Sequence, residues 1–190
     1  MVTAQQLREI MPYAEGRIAL YLEPLNLTME EFEISESPLR MAAFLAQLAH
    51  ESGQLRYTAE IATGEAYDHR ADLGNTRPEA IRIASLHNST PGRWWKGHGL
   101  IQVTGYDNHK ACGEALNLDL LNDPEQLRQP LPAARSAGWF WDVHDLNELA
   151  DRQEFKRITK IINGGFNHLR EREVFYADAC NALGVQYVSR

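Results

Sequence analysis

Apolar residues recur at helical spacing in several separate stretches of this chain, and most of these stretches carry start and stop signals. Thr3 with Gln6 forms a capping-box pattern ahead of Leu7, Ile10, Met11 and Ala14, with Pro12 set to interrupt the helix. A second stripe follows at Ile18, Tyr21, Leu22 and Leu25. Ser37 and Pro38 mark the start of a third helix, whose apolar side is Met41, Phe44, Leu45 and Leu48 and whose end should fall near Gly53. Asp123-Pro124 with Gln126 signals a further helix start, and Phe155, Ile158 and Ile162 form a late stripe that stops at Asn163-Gly164-Gly165. Asn167 then stands as the cap of one more helix, with Arg170 in its first turn. Gly64 to Gly99 shows little periodicity, many turn formers and two tryptophans, and reads as a long functional loop region. From Gly97 to Gly105 an alternation puts Ile101 and Val103 on one face and Gln102 and Thr104 on the other, as in a short strand. The expected class is mainly α with a small β element.

Length and charge narrow the reading. At 190 residues the expectation is one domain, with residues 1–36 as an N-terminal helical segment. No apolar run reaches the roughly 18 residues of a membrane span, and Met1 to Leu7 lacks the pattern of a secretory signal. The expected product is therefore a soluble protein made in the cytoplasm without stable membrane insertion. A formal charge of -7 works against nucleic acid as a partner. The local exception is Arg77, Arg82, Arg93 and Lys96 around Trp94 and Trp95, which could form a stacking platform. Cys112 and Cys180 lie far apart, without metal-ligand or CxxC spacing, and read as two buried free thiols. His50-Glu51 begins a zinc-protease pattern that fails because Gln54 stands where the second histidine is required.

Glu51 is the most informative acid. It follows Leu48 by three residues and Phe44 by seven, which places its carboxyl on the buried side of the last turn. Burial and the negative end of the helix dipole both disfavour its charged form, the condition for a general acid near neutral pH. An edge glutamate that reaches solvent is the competing reading. A second carboxyl could come from Glu60, Glu65, Asp68 or Asp72. On a continuous helix Glu60 would sit about 13 Å further along and half a turn round, so Ser52-Gly53 must break the helix for the two to face each other. The G-x-G at Gly97 is not a dinucleotide fingerprint, because Gln102 occupies the third glycine position.

Four blocks in order carry a resemblance. Phe44 to Gly53, Tyr67 through Arg70 to Asn75, Gly97 to Gly105 with Asn108, and Ile162 to Gly165 with Asn167 and Arg170 together resemble the glycoside hydrolase family 19 domain over about residues 37–184. Within it the likeness is to the lysozyme-like endolysins of phages and prophages more than to plant chitinases. The resemblance implies a lysozyme-like fold with a small β element beside the cleft. It implies an inverting mechanism without cofactor or metal, with Glu51 as general acid and Glu60 as general base, the carboxyls about 6.5 to 9.5 Å apart. Gln102, Thr104, Asn108, Asn163, Arg170, Tyr67 and Arg70 would bind the sugar or hold the water and the base. His98 departs from the family's Gly-Arg-Gly, which puts any ion pair of that arginine in doubt.

The expected substrate is peptidoglycan, cut at a β-1,4 bond next to N-acetylmuramic acid or N-acetylglucosamine, with a chitin-like polysaccharide as the alternative. A non-catalytic wall-binding domain is a further alternative that the presence of both glutamates disfavours. The expected form is a monomer that acts on the cell wall after release or export, with a holin or an immunity protein as its protein partner.

Overall fold

The computed structural model describes residues 1–188. Ten α-helices run in order among them: α1 (Ala4–Ile10), α2 (Glu15–Glu31), α3 (Pro38–Glu51), α4 (Pro78–Leu86), α5 (Pro91–Trp94), α6 (Tyr106–Leu116), α7 (Pro130–Val143), α8 (Leu146–Asp151), α9 (Phe155–Asn163) and α10 (Leu169–Leu183). Short 3-10 turns fall at Pro12–Ala14, Ile34–Glu36, Glu65–Tyr67, Ala71–Leu73 and Pro124–Arg128. The chain forms two compact units, Met1–Arg56 with Phe140–Arg190, and Tyr57–Trp139. Among the described residues no helix is long and apolar enough to cross a membrane.

In the first unit the expected signals are used as chemistry dictates. Thr3 and Gln6 close a reciprocal capping box, and α1 ends before Pro12. The Ser37 hydroxyl accepts the Leu39 N–H at 3.2 Å, with Pro38 at the first helical position. α3 is more enclosed than a one-sided stripe implies, since every residue from Met41 to Ala49 is buried, Gln47 included. Its alanines at 42, 43, 46 and 49 let neighbouring helices approach closely, and α10 packs along it. Phe44 meets Trp141 edge-on at 5.3 Å, and Phe155 stacks on Tyr176 at 4.2 Å.

Beyond Glu51 the helix stops abruptly, as the Ser52-Gly53 pair requires. Gly53, Gln54 and Leu55 all take left-handed backbone, with φ of 56°, 58° and 66°. Two non-glycine residues in that region cost about 1–2 kcal/mol each, so the turn persists only because it is anchored. Ser52 Oγ donates to the Leu48 carbonyl at 2.6 Å and accepts the Leu55 N–H at 2.8 Å. The N-terminal segment holds the outside: the Tyr13 N–H donates to Gln54 Oε1 at 2.9 Å, and the Arg17 guanidinium donates to the Gln54 carbonyl at 3.3 Å. Residues 1–36 thus brace the turn that follows Glu51.

The second unit corrects the expectation of a long loop. Gly64 to Gly99 contains α4, α5 and two 3-10 turns, and Ala80, Ile83, Ala84, Trp95 and Tyr106 form a buried cluster. Trp95 is fully buried with Nε1 donating to the Leu120 carbonyl, and Trp94 Nε1 donates to that of Leu121 while its ring stacks on His87. Arg77, Arg82 and Arg93 are paired with Asp107, Glu79 and Glu65. The tryptophans and these arginines therefore offer no stacking platform. Gly64, at φ +87°, and Gly92 approach so closely that a Cβ on either would lie 2.3–2.4 Å from the other's carbonyl oxygen.

The β element consists of two antiparallel bridges among the described residues, Ala59 with His98 and His98 with Val103. The strand alternation expected across Gln102 does not form, because Gln102 has φ 58° and its N–H turns back to the Gly99 carbonyl at 3.2 Å. Val103 is nonetheless buried, and Gln102 and Thr104 are half-buried. Two starts also shift. Asp123-Pro124 opens only a 3-10 turn, and the N-cap of α10 is His168, at φ 56°, instead of Asn167. Cys112 and Cys180 are free and buried as expected, and burial pushes their thiols up to about 12 and about 11.

Candidate active site

Glu51 is the last residue of α3, and its side chain keeps 20% exposure while facing a buried arginine. Arg172, on α10, is 1% exposed and brings Nη2 to 2.5 Å from Glu51 Oε1, close in distance though not aligned as a hydrogen bond. Its Nη1 donates to Gln47 Oε1 at 2.6 Å, and Gln47 Nε2 donates to Thr159 Oγ1 at 2.8 Å. A polar line therefore crosses α3, α9 and α10 inside an otherwise apolar core, ending on the carboxyl at the helix tip. Such a buried guanidinium requires a partner, and Glu51 supplies the only opposite charge that ion-pairs with it among the described residues. Beside it, His50 Nδ1 lies 3.2 Å from Glu171 Oε1. Burial and the Arg172 charge hold the His50 imidazole below its ordinary range, against the pull of Glu171.

Glu60 lies in the second unit, half-buried on the bridge segment. Its own N–H donates to the Gly97 carbonyl at 2.7 Å, and the Gly97 N–H donates back to Glu60 Oε2 at 3.2 Å. Tyr67 Oη donates to Oε1 at 3.0 Å, and burial followed by this hydrogen bond raises the Tyr67 phenol above its ordinary value. Tyr67 is placed in turn by Asn75, fully buried, which donates to the Tyr67 carbonyl at 2.8 Å and accepts the Tyr106 N–H at 2.9 Å.

The other acids weighed as the second carboxyl are engaged differently. Glu65 pairs with Arg93, and Asp68 Oδ1 accepts the Gly92 N–H at 2.8 Å. Asp72 is held by Arg70 at 2.6 Å, which lowers its carboxyl below the usual range and occupies the Arg70 guanidinium on the surface. A carboxylate paired with a guanidinium is a poorer base than one held by neutral donors, as Glu60 is.

Gln102, Thr104 and Asn108 form a local ladder: Gln102 Nε2 donates to the Gly99 carbonyl, Thr104 Oγ1 to that of Gln102, and Asn108 Nδ2 to that of Thr104, at 2.9–3.0 Å. In the first unit Asn163 Nδ2 is buried without a hydrogen-bond partner among the described residues. Arg170 is exposed, and the arginine turned inward is Arg172, two residues on. Sequence reading missed Arg172, Gln47 and Thr159. Their signal was available in part, since Gln47 is a polar residue inside an apolar helix. His98, which departs from the Gly-Arg-Gly of the resemblance, is 1% exposed and meets His109 and Glu125.

The sequence model of glycoside hydrolase family 19, chitinase class I, matches residues 33–151. The chain belongs to this family. Asn163 and Arg170 lie beyond the matched segment. An endochitinase of Arabidopsis thaliana is 34% identical over 152 residues, 76% of this chain and 48% of that protein. A glycosyl hydrolase family 19 domain-containing protein of Haemophilus influenzae is 30% identical over 159 residues, 73% of this chain and 77% of its own length. The chain thus spans about half the length of the Arabidopsis endochitinase and most of the bacterial relative. Among solved structures, a bacterial family 19 chitinase superposes with a TM-score of 0.80 at 22% identity, covering 100% of this chain and 98% of that one. Chitinase C from Streptomyces griseus gives 0.76 at 22% identity, covering 100% and 79%. At that identity these structures establish the fold, which is the mainly helical, lysozyme-like one expected.

Proposed function

We propose that this family 19 member hydrolyses β-1,4 glycosidic bonds with inversion, Glu51 giving its proton to the leaving oxygen and Glu60 drawing one from the attacking water. The observation that carries the reading is the setting of Glu60, a half-buried carboxyl held by two neutral donors. Glu51 ends a buried polar line on Arg172, which fixes its position at the helix tip. Glu60 is oriented by the neutral donors Tyr67 and Gly97 and has no ion-pair partner among the described residues that would weaken it as a base. Gln102, Thr104, Asn108, Asn163, Arg170, Tyr67 and Arg70 are proposed to hold sugar or water.

Peptidoglycan is the proposed substrate, because the short stretch between Glu51 and Gly97 resembles the endolysin pattern. A chitin-like polymer is the second reading, favoured by relatives that bear the name endochitinase. The deciding experiment is reducing-end analysis and NMR of the earliest products from purified peptidoglycan and from a soluble chitin oligomer. Faster release from the wall, with an α-anomeric product, supports the proposal. A β-anomer overturns inversion, and faster turnover of chitin oligomers overturns the substrate.

A further inference from the structure

A buried run of three polar contacts lies in the second unit. His109 Nδ1 stands 2.8 Å from the Gly105 carbonyl oxygen, His109 Nε2 stands 3.1 Å from His98 Nδ1, and His98 Nε2 stands 3.3 Å from Glu125 Oε1. The run ends on both sides at an oxygen that accepts. Each of its three gaps needs one proton, whereas two neutral imidazoles carry only two. A third proton must enter, or one gap stays unfilled. His109 does not take it: the ring is fully buried, and burial with the neighbouring His98 charge pushes it down to about 3. Its Nδ1 therefore keeps a proton on the Gly105 carbonyl, which leaves its Nε2 as an acceptor facing His98 Nδ1. Of the two gaps His98 makes, the one to Glu125 is the longer, 3.3 Å against 3.1 Å, and is the one assigned the missing proton.

The same histidine is tied to Glu60 through the backbone. The His98 N–H donates to the Val103 carbonyl at 3.0 Å, the Gly99 N–H to that of Thr58 at 2.8 Å, and the adjoining Gly97 peptide makes both of its bonds to Glu60. The buried His98 side chain pegs this ribbon to α6 and to the Pro124–Arg128 turn. We propose that His98 is a positioning residue for Glu60, acting through the Gly97 peptide, and that it grips that peptide most firmly when a proton fills the His98–Glu125 gap. The inference rests on Glu60 serving as the base.

Besides His98 itself, four charged or titratable groups set the strength of that grip. Burial lowers the His98 imidazole below its ordinary value, Glu125 opposes this, and Lys96 adds to it; His109 stays neutral. Burial favours the neutral form of Glu125, but Arg128 and His98 outweigh it and hold the carboxyl below its ordinary range. As pH rises the gap loses its proton, and a lone pair on His98 Nε2 then faces the Glu125 carboxylate. Glu125 is half-exposed and also bound by Arg128 at 2.7 Å, so it can turn away and release the peg.

Glu125→Gln provides the test, because a side-chain amide can donate to the His98 Nε2 lone pair and close all three gaps without an added proton. Long-range proton–nitrogen spectra of the histidine rings, recorded from about pH 4 to pH 8 alongside kcat, read both halves. In the parent protein the His98 ring should lose its Nε2 proton as pH rises, and kcat should fall through the same step. In Glu125→Gln the ring should hold the neutral Nδ1–H form throughout and that component of the kcat profile should vanish. A parent His98 ring without a titration step overturns the proposal. So does a variant that loses the ring titration yet keeps the parent kcat profile. Failure of the base assignment is separately visible, as undiminished kcat in Glu60→Gln.

Discussion

Arg172 brings one guanidinium nitrogen to 2.5 Å from Glu51 and gives the other to Gln47 at 2.6 Å, so one buried cation ties the tip of α3 to its middle. The expected consequence concerns stability as well as catalysis. Breaking a buried pair by removing one partner costs about 3–5 kcal/mol, and the partial exposure of Glu51 places Arg172→Met near the low end of that range. Urea unfolding should show this loss, and Arg172→Lys should recover only part of it, since an ammonium cannot serve both partners with the fork geometry. An unchanged midpoint in Arg172→Met would show that the pair contributes nothing.

Glu51→Gln and Glu60→Gln should each keep the near-UV circular dichroism of the parent while lowering kcat by about 10²–10⁴-fold, the range for a lost general acid or base. Both substitutions preserve shape and remove the proton donor or acceptor. Near-normal turnover in either variant would reassign that role.

Tyr67→Phe removes the hydroxyl that donates to Glu60 Oε1. A hydrogen bond to a charged group contributes about 1.5–3 kcal/mol, so kcat should fall about tenfold or more while KM moves little. Because the Tyr67 phenol is raised above its ordinary value, that donor stays in place through the neutral and mildly alkaline range. Steady-state kinetics at fixed pH checks the ratio.

Gly97→Ala would put a Cβ 2.6 Å from Gln102 Oε1, the far end of a flexible side chain. The fold should tolerate it, with thermal unfolding close to the parent, while the displaced Gln102 amide raises KM for the polysaccharide. A variant with parental KM would remove Gln102 from the binding residues.

Acid lability should trace to His109. Its folded value is lowered to about 3 from the ordinary 6.5, so the unfolded chain binds the proton first as pH falls. Stability is therefore full above about pH 6.5 and declines as pH drops towards 3, by several kcal/mol at most from this group. Denaturant unfolding of His109→Gln across that window should show a flatter pH dependence than the parent, whatever its absolute stability.

The start signals of α1 and α3 were legible because they are local: Thr3 with Gln6, and Ser37 with Pro38, satisfy backbone donors a few residues away. The break after Glu51 was legible for the same reason. α4 was not, since its nine residues supply only Ala80, Ile83 and Ala84 as a buried stripe, too few positions to outweigh the turn formers around them. The strand suggested by Ile101 to Thr104 failed because alternation records which side chains are apolar, while the left-handed backbone of Gln102 is set by its bond back to Gly99.

The sequence by itself determined the helical class, the position of Glu51 at a helix tip, and the family through four motif blocks in order, because capping, periodicity and motif spacing are short-range properties of the chain. The tertiary structure alone decided the partners: Arg172 for Glu51, Tyr67 and Gly97 for Glu60, His109 and Glu125 for His98. A buried charge or imidazole must find its complement wherever packing brings one, and Arg172 reaches Gln47 across 125 positions of chain. No local pattern encodes that distance, so the choice between the inward Arg172 and the exposed Arg170 was made by the packing of α10 on α3.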